Sequence, residues 1–273
     1  MRIMWWNVKR LGLTTDTARK EGIQNFKKQW SQLPEVVILC ELTPAGDYPK
    51  PLSYAVSKKT GRQLCYGVVS GDGLSPDPAS EIFVPSGPTA SYLQQKYKFG
   101  GSFRNLVKRT PGVLSVNQVP VYFFHAPARA SKAVRPVGYL ASYLDELHGT
   151  DPWVLLGDFN IEPDQLRTSR IGGAIAHLIK DPDRPTWHSP TRSKKLDYAI
   201  SNIPNLVVSV GLDRGFSDHN PILISDVRAR GMKRARQDDP PPQPNGAPGD
   251  GDTGRPRKRQ RGDGSGGDGM VTS

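Results

Sequence analysis

Apolar and polar positions alternate along this chain in short blocks rather than long ones. Ten short apolar runs, each bounded by Gly, Pro, Asn or Asp, read as strands: RIMWWNV, VVILCE, LCYGVVS, EIFVP, GVLSVN, VPVYFFH, WVLLGDFN, KLDYAIS, LVVSVGL and NPILIS. Several are apolar on both faces, which requires sheets that are covered on at least one side. Helical periodicity is rarer. Over residues 17–33, Ile23, Phe26, Trp30 and Leu33 recur at spacings of three and four, and over 133–147 Val137, Leu140, Leu144 and Leu147 do the same. A weaker helical pattern covers 163–180. Many strands with few helices predict an α+β fold, a four-layer sandwich of two packed β-sheets flanked by helices. No internal repeat is visible.

The polar residues that interrupt this pattern are not random in type. Asn7 follows MWW, Glu41 follows VVILC, His125 follows VYFF, Asp158 and Asn160 follow VLL, Asp197 sits in KLDYAI, and Asp218, His219 and Asn220 precede PILI. Each taken alone is an ordinary turn residue at a strand end. Together they form the residue set that phosphodiester hydrolysis needs: carboxylates for a hard divalent cation, histidines to take and give a proton, a carboxylate to orient a histidine, and amides to donate to phosphate oxygens. In WVLLGDFN, side chains two apart share a direction wherever extended geometry persists, which would aim Asp158 and Asn160 together at a phosphate. His148, His177 and His188 lack such neighbours and read as surface or structural residues. Trp5 and Trp6, inside the first run, read as core rather than as base-stacking platforms.

Composition changes the picture at one end. The chain has 273 residues, and from about Arg228 the text is rich in Gly, Pro and charge with scarcely an aliphatic side chain. Such a segment cannot offset its ordering entropy, so a catalytic domain over 1–227 and a disordered basic tail over 228–273 are expected. The net charge is +11, of which residues 229–273 supply nine Lys and Arg against six Asp, leaving about +8 on the folded part. That excess suits a polyanionic partner, nucleic acid or an anionic membrane, although a basic surface also serves solubility. Two clusters in the tail, Lys233-Arg234-Ala235-Arg236 and Lys258-Arg259-Gln260-Arg261, read as nuclear-import signals or nonspecific nucleic-acid contacts. Cys40 and Cys65 read as small buried hydrophobes rather than a disulfide. No apolar run approaches the roughly 20 residues that span a bilayer, and MRIMWWNVKRLG does not read as a signal peptide.

In order, WN, a strand-ending Glu, a strand-ending His, GDFN, LDYAI and SDHNPI resemble the endonuclease/exonuclease/phosphatase superfamily that includes deoxyribonuclease I. Within it, VPVYFFHAPARASKAV, LLGDFNIEPDQL, KLDYAIS and SDHNPI resemble the cytolethal distending toxin B subunits; the resemblance spans about residues 2–226. It implies Glu41 as the metal ligand, with Asp218 and Asn7 completing the metal and phosphate neighbourhood. It also implies His219, oriented by Asp197, as general base and His125 as partner acid, two roles that can be exchanged. Asp158 would orient water or the metal shell, Asn160 would steady the transition state, and Arg104, with Arg109 as rival, would clamp phosphate. Deoxyribonuclease I supports its first histidine with a carboxylate from an early strand. Between Tyr48 and Gly71 this chain has no acid, which leaves a backbone carbonyl or water to orient His125. The toxin subunits are exported by a cleaved signal peptide and lack such a tail, two further departures.

The expected function is a Mg²⁺-dependent DNA endonuclease, with Mn²⁺ or Ca²⁺ as supporting ions. It would act as a genotoxin on double-stranded DNA in the nucleus of a host cell after synthesis in a cytoplasm, with a nuclear import receptor and possible delivery subunits as partners. Two alternatives remain open: a phosphatase of phosphoinositides or other phosphomonoesters in the same superfamily, and a DNA-binding module without catalysis.

Overall fold

The computed structural model describes residues 1–9, 34–42, 52–56, 63–70, 79–98, 109–212 and 217–226. The helix expected over 17–33, Arg104, and the tail with its clusters at 233–236 and 258–261 lie outside these residues.

Fourteen strands are found among the described residues. The first sheet contains β1 (Arg2–Asn7), β2 (Val36–Leu42), β3 (Leu52–Val56), β4 (Gln63–Ser70), β13 (Leu206–Val210) and β14 (Ile222–Asp226), in the order β13-β14-β1-β2-β4-β3. The second contains β5 (Ser80–Ile82), β6 (Gly112–Val116), β7 (Val119–His125), β8 (Val154–Asp158), β9 (Ile179–Lys180) and β12 (Asp197–Ser201), in the order β5-β6-β7-β8-β12-β9. A separate hairpin pairs β10 (Trp187–His188) with β11 (Ser193–Lys194). Each large sheet has one parallel pair at its centre, β1 with β2 and β7 with β8, and its other pairings are antiparallel.

Strand periodicity explains how the layers stack. Along β7, Val121 and Phe123 face the first sheet, while Tyr122 and Phe124 face outward. The inward residues meet Ile3, Trp5, Ile38, Cys40 and Tyr66, together with Val154, Leu156 and Ala199 of the second sheet, in a common inter-sheet core. Outward residues are covered by α1 (Gly87–Lys96) through Leu93 and by α2 (Ala130–His148) through Val137, Leu140 and Leu144. On the far side of the first sheet Met4, Trp6, Val37, Leu39 and Cys65 form a third buried cluster. Burying a side chain such as Phe123, Leu156 or Ile38 contributes about 1.5–3 kcal/mol, so the four central strands, buried at nearly every position, anchor everything attached to their ends. Two packed sheets flanked by helices match the architecture expected from the pattern.

Several elements differ from that pattern. The helix expected over 163–180 breaks into α3 (Pro163–Arg167) and a 3-10 turn over Gly172–Leu178, after which Ile179 and Lys180 join the second sheet. Gly172 enforces the break: a Cβ there would lie 1.8 Å from the carbonyl oxygen of Leu166. Helix α1 was not expected, because it buries only Ala90 and Leu93 and offers too little periodicity to read. Leu147, counted in the apolar stripe of α2, is exposed. The strand expected at EIFVP begins earlier, at Ser80, where it pairs with Leu114. Cys40 and Cys65 are buried on opposite faces of the first sheet, which keeps them from forming a disulfide with each other. No described helix is long and apolar enough to cross a membrane.

Candidate active site

The C-terminal ends of the two central parallel pairs carry most of the polar residues singled out from the sequence. In the second sheet, strand pairing sets His125 opposite Asp158 and Asp158 opposite Asp197, so three chemical residues form one row across β7, β8 and β12. Laterally paired residues project to the same face, here toward the first sheet. All three are buried. The first sheet contributes Asn7 from the last position of β1, Glu41 from β2, and Asp218 and His219 from the segment entering β14. Its geometry is less regular. Glu41 has φ of 59°, within a register irregularity between Leu39 and Leu42, and Lys9 has φ of 47°.

These side chains converge on one atom. Asp158 Oδ2 accepts a 2.9 Å hydrogen bond from Asn7 Nδ2, and it lies 3.5 Å from His125 Nε2 and 3.7 Å from His219 Nε2. Glu41 Oε1 stands 3.4 Å from His125 Nε2, and Asp218 Oδ1 3.9 Å from His219 Nε2. Carboxylates and imidazoles therefore alternate across the cleft: Glu41, His125, Asp158, His219, Asp218. Glu41 and Asp158 both face His125 Nε2, and the His125 backbone N–H donates to the Tyr66 hydroxyl at 2.9 Å.

His219 is held from several sides. Its Nδ1 donates to Asp197 Oδ2 at 2.7 Å, its backbone N–H donates to Ser217 Oγ, and its carbonyl accepts from Trp6 Nε1 at 3.0 Å. Ser217 in turn donates to the carbonyl of Asn7, tying the segment to the end of β1. The second oxygen of Asp197 accepts Trp5 Nε1 at 2.9 Å, and its backbone N–H donates to the hydroxyl of buried Thr186. Burial opposes charging His219, but the carboxylates of Asp197, Asp158 and Asp218 outweigh it and raise its pKa to about 10. Asp158 is raised to about 7, first by burial and then by Asp197 and Glu41, with His219 and the Asn7 hydrogen bond acting in the opposite sense. Both shifts run toward the protonated forms in the metal-free protein.

Asn160 departs from the extended reading. Strand β8 ends at Asp158, and Asn160 turns back with φ of 52°, a left-handed conformation that Asn tolerates. Its backbone N–H donates to Asp158 Oδ1 and its side chain donates to the carbonyl of Ala126, so it braces the Asp158 turn instead of running parallel to the Asp158 side chain. Arg109 Nη1 donates to that same Ala126 carbonyl at 2.7 Å, which places one of the two expected phosphate-binding arginines beside the loop that follows His125.

The oxygen-rich donor set fits a hard cation. Ligand atoms of Asp158, Asp197 and His219 lie within 4.8 Å of one another, a group that could hold a metal ion. Both oxygens of Asp197 already accept hydrogen bonds, whereas Asp218 Oδ1 is buried with no hydrogen-bond partner among the described residues. That acceptor is open to a cation, although neither Asp218 nor Glu41 belongs to the group whose ligand atoms lie within 4.8 Å of one another. Asp218 Oδ2 is occupied by Lys9 Nζ at 2.6 Å and Trp187 Nε1 at 3.0 Å.

Trp5, Trp6, Lys9, Ser217 and Trp187 were not foreseen as parts of this site. A buried indole N–H needs an acceptor, which the WW pair next to Asn7 could have signalled, but nothing in the sequence says which acceptor. The other histidines stay outside it: the His148 ring pairs with the Tyr122 hydroxyl, the His188 ring with Ser193, and His177 is exposed.

No curated protein sequence matches the chain. Among solved structures, cytolethal distending toxin from Actinobacillus actinomycetemcomitans is similar at 16% identity and a TM-score of 0.52, over 82% of this chain and 97% of that one. A 3'-5' exonuclease from Neisseria meningitidis is similar at 18% identity and 0.51, over 83% and 99%, and an AP endonuclease from Archaeoglobus fulgidus at 14% and 0.51, over 83% and 99%. At such identities the likeness is one of fold. Residues 4–219 match the sequence model of the Endonuclease/Exonuclease/phosphatase family, a span that runs from the first strand to His219. The chain therefore belongs to the endonuclease/exonuclease/phosphatase family, whose members are hydrolases, most of them metal-dependent nucleases or phosphatases.

Proposed function

We propose that this chain is a Mg²⁺-dependent DNA endonuclease that hydrolyses phosphodiester bonds, and that it acts as a genotoxin of the cytolethal distending toxin B-subunit type. One observation carries the reading: two imidazole Nε2 atoms lie within 3.7 Å of a single buried carboxylate oxygen, Asp158 Oδ2, with a further carboxylate beside each.

Glu41, Asp158 and Asp218 would hold a divalent cation, which would supply Lewis-acid neutralisation of phosphate charge and lower the proton affinity of its neighbours. The residues of the chain do the rest. His219, its Nδ1 fixed by Asp197, presents Nε2 to the cleft and takes a proton from the water whose oxygen bonds to phosphorus. As the phosphorus–oxygen bond on the opposite side breaks, His125 gives its proton to the departing oxygen. Asn7 and Asn160 each carry a second amide hydrogen for phosphate oxygens, and Arg109 or Arg104 holds the neighbouring phosphate.

Supercoiled plasmid incubated with the protein and Mg²⁺ becomes nicked circles, and His125→Ala and His219→Ala each lower the rate by about 10²-fold or more. Intact plasmid with wild-type protein would sink the proposal. Phosphate released from inositol phospholipids without nicking would replace it with the phosphatase reading.

The basic tail supports nuclear delivery: residues 229–273 fused to a fluorescent protein concentrate in nuclei, and replacing Lys233, Arg234, Arg236, Lys258, Arg259 and Arg261 with Ala disperses the fusion. Equal distribution of both fusions would remove import from the proposal.

A further inference from the structure

Trp5 lies fully buried in the inter-sheet core, and its one polar atom is aimed at the catalytic pair. Nε1 donates to Asp197 Oδ1 at 2.9 Å, while Asp197 Oδ2 holds His219 Nδ1 at 2.7 Å. Both Trp5 and Asp197 are inaccessible to solvent, so water cannot replace the indole donor. The last torsion of an aspartate is broad, and a carboxylate held through one oxygen can rock about its Cβ–Cγ bond. A second donor on the other oxygen fixes the plane of the group.

The neighbouring residue acts on the other half of the pair. Trp6 points to the opposite face of β1 and donates Nε1 to the backbone carbonyl of His219 at 3.0 Å. Two consecutive tryptophans thus hold the carboxylate on one side of the strand and the histidine main chain on the other. Core packing alone explains the burial of Trp5 beside Tyr66, with ring centroids 6.3 Å apart, but it does not require the N–H to meet this particular oxygen.

We propose that Trp5 is a positioning residue for catalysis: its indole N–H locks the Asp197 carboxylate in the orientation that keeps His219 Nε2 directed at Asp158 and the scissile phosphate. The proposal rests on the reading of His219 as a proton-transfer group in hydrolysis.

The test uses the full chain with two substitutions at one position. Trp5→Phe removes the N–H and some volume; replacing Trp5 with 3-benzothienylalanine removes the N–H and keeps the ring size. For each, kcat and KM for plasmid nicking are measured in the wild-type and Asp197→Ala backgrounds, and the His219 Nδ1 proton is followed by NMR, assigned by its absence in His219→Ala. Both replacements are expected to lower kcat by about 10- to 100-fold, the range for partners that orient a catalytic ligand. KM stays within about twofold, because ground-state binding is untouched. Neither lowers kcat further once Asp197→Ala has removed the acceptor. The His219 proton signal shifts and exchanges faster in both. A folded benzothienylalanine protein with wild-type kcat, or with an unmoved His219 proton, overturns the proposal, as does an undiminished loss in the Asp197→Ala background. A wild-type chain that nicks nothing overturns the endonuclease reading instead, while the NMR comparison still decides the role of Trp5.

Discussion

The two sheets build their halves of the cleft by different means. In the second, His125, Asp158 and Asp197 occupy paired positions on adjacent strands, so regular hydrogen bonding alone sets them side by side. In the first, Glu41 and Lys9 take left-handed conformations, and Asp218 and His219 are held by a loop tied down through Ser217, Trp6 and Trp187. One half follows from strand register and the other from local irregularity braced by side chains. Regular backbone resists displacement without help, whereas the irregular half depends on each brace.

That contrast predicts a hierarchy of catalytic damage. Asp158 faces both histidines, so Asp158→Asn removes the charge that couples the two halves, and its nicking rate falls by about 10³-fold or more. Asp218 faces only His219, and Asp218→Asn costs about ten- to a hundredfold. Equal losses in the two variants, measured as kcat under saturating Mg²⁺, would show that the second-sheet row is not the dominant half.

Legibility in the sequence follows the same division. His125, Asp158 and Asp197 end or begin strongly apolar runs, and a run that is apolar on both faces announces a central strand. The row was therefore readable once the strands were. Glu41 was readable as a residue type, but the positive φ that aims it was not, because no glycine or proline marks the bulge. Asn160 shows the opposite error: extended geometry was projected one turn too far, and the chain folds back so that Asn160 braces Asp158. The tryptophan donors were invisible because burial and hydrogen-bond partner are long-range facts; Trp5 and Asp197 are separated by 192 positions. Short strands such as β10 and β11 carry too few apolar residues to stand out, although their hairpin meets the catalytic segment through the bridge between Trp187 and His219.

The pH dependence of stability tests how the halves interact electrostatically. His219 has a folded pKa of about 10 against an ordinary 6.5, so its contribution is complete below about 6.5 and is lost as pH rises through about 10. Asp158 is raised from 3.8 to about 7, which likewise favours the protonated form, and that contribution is lost as pH rises from about 4 through 7. Both shifts have the same sign. The metal-free protein therefore loses on the order of a few kcal/mol between pH 6 and 10, measured by denaturant midpoint with a chelator present. His219→Gln flattens this loss above pH 7. A wild-type curve flat from pH 7 to 10 would mean that the carboxylates do not hold the imidazolium.

Gly157 probes the regular half by packing. It lies opposite Phe124 in the parallel pair, and a Cβ there would approach the Phe124 carbonyl oxygen to 1.9 Å. That neighbour is backbone and cannot swing aside, so Gly157→Ala costs about 1–3 kcal/mol and pushes Asp158 away from His125. Thermal melting and nicking should fall together. A variant that loses stability while keeping full activity would show that the row tolerates displacement.

Glu41 supplies the smallest effect on stability and the sharpest contrast, because there stability and activity should move in opposite directions. Its left-handed conformation costs a side-chain-bearing residue about 1–2 kcal/mol. Glycine removes that cost, while its greater freedom in the unfolded chain returns about 0.5–1 kcal/mol. Glu41→Gly is therefore expected to gain about 0.5–1 kcal/mol by denaturant midpoint while losing the carboxylate that faces His125, and with it metal-dependent nicking. The corresponding change in the regular half, Asp158→Gly, has no strain to relieve, and it deletes a side chain that accepts hydrogen bonds from Asn7 and the Asn160 backbone. The expected outcome is destabilisation at pH 5, where Asp158 is protonated and carries no buried charge to relieve. If Glu41→Gly proves less stable than wild type, the irregular half is held by contacts of Glu41 itself and carries no stored strain.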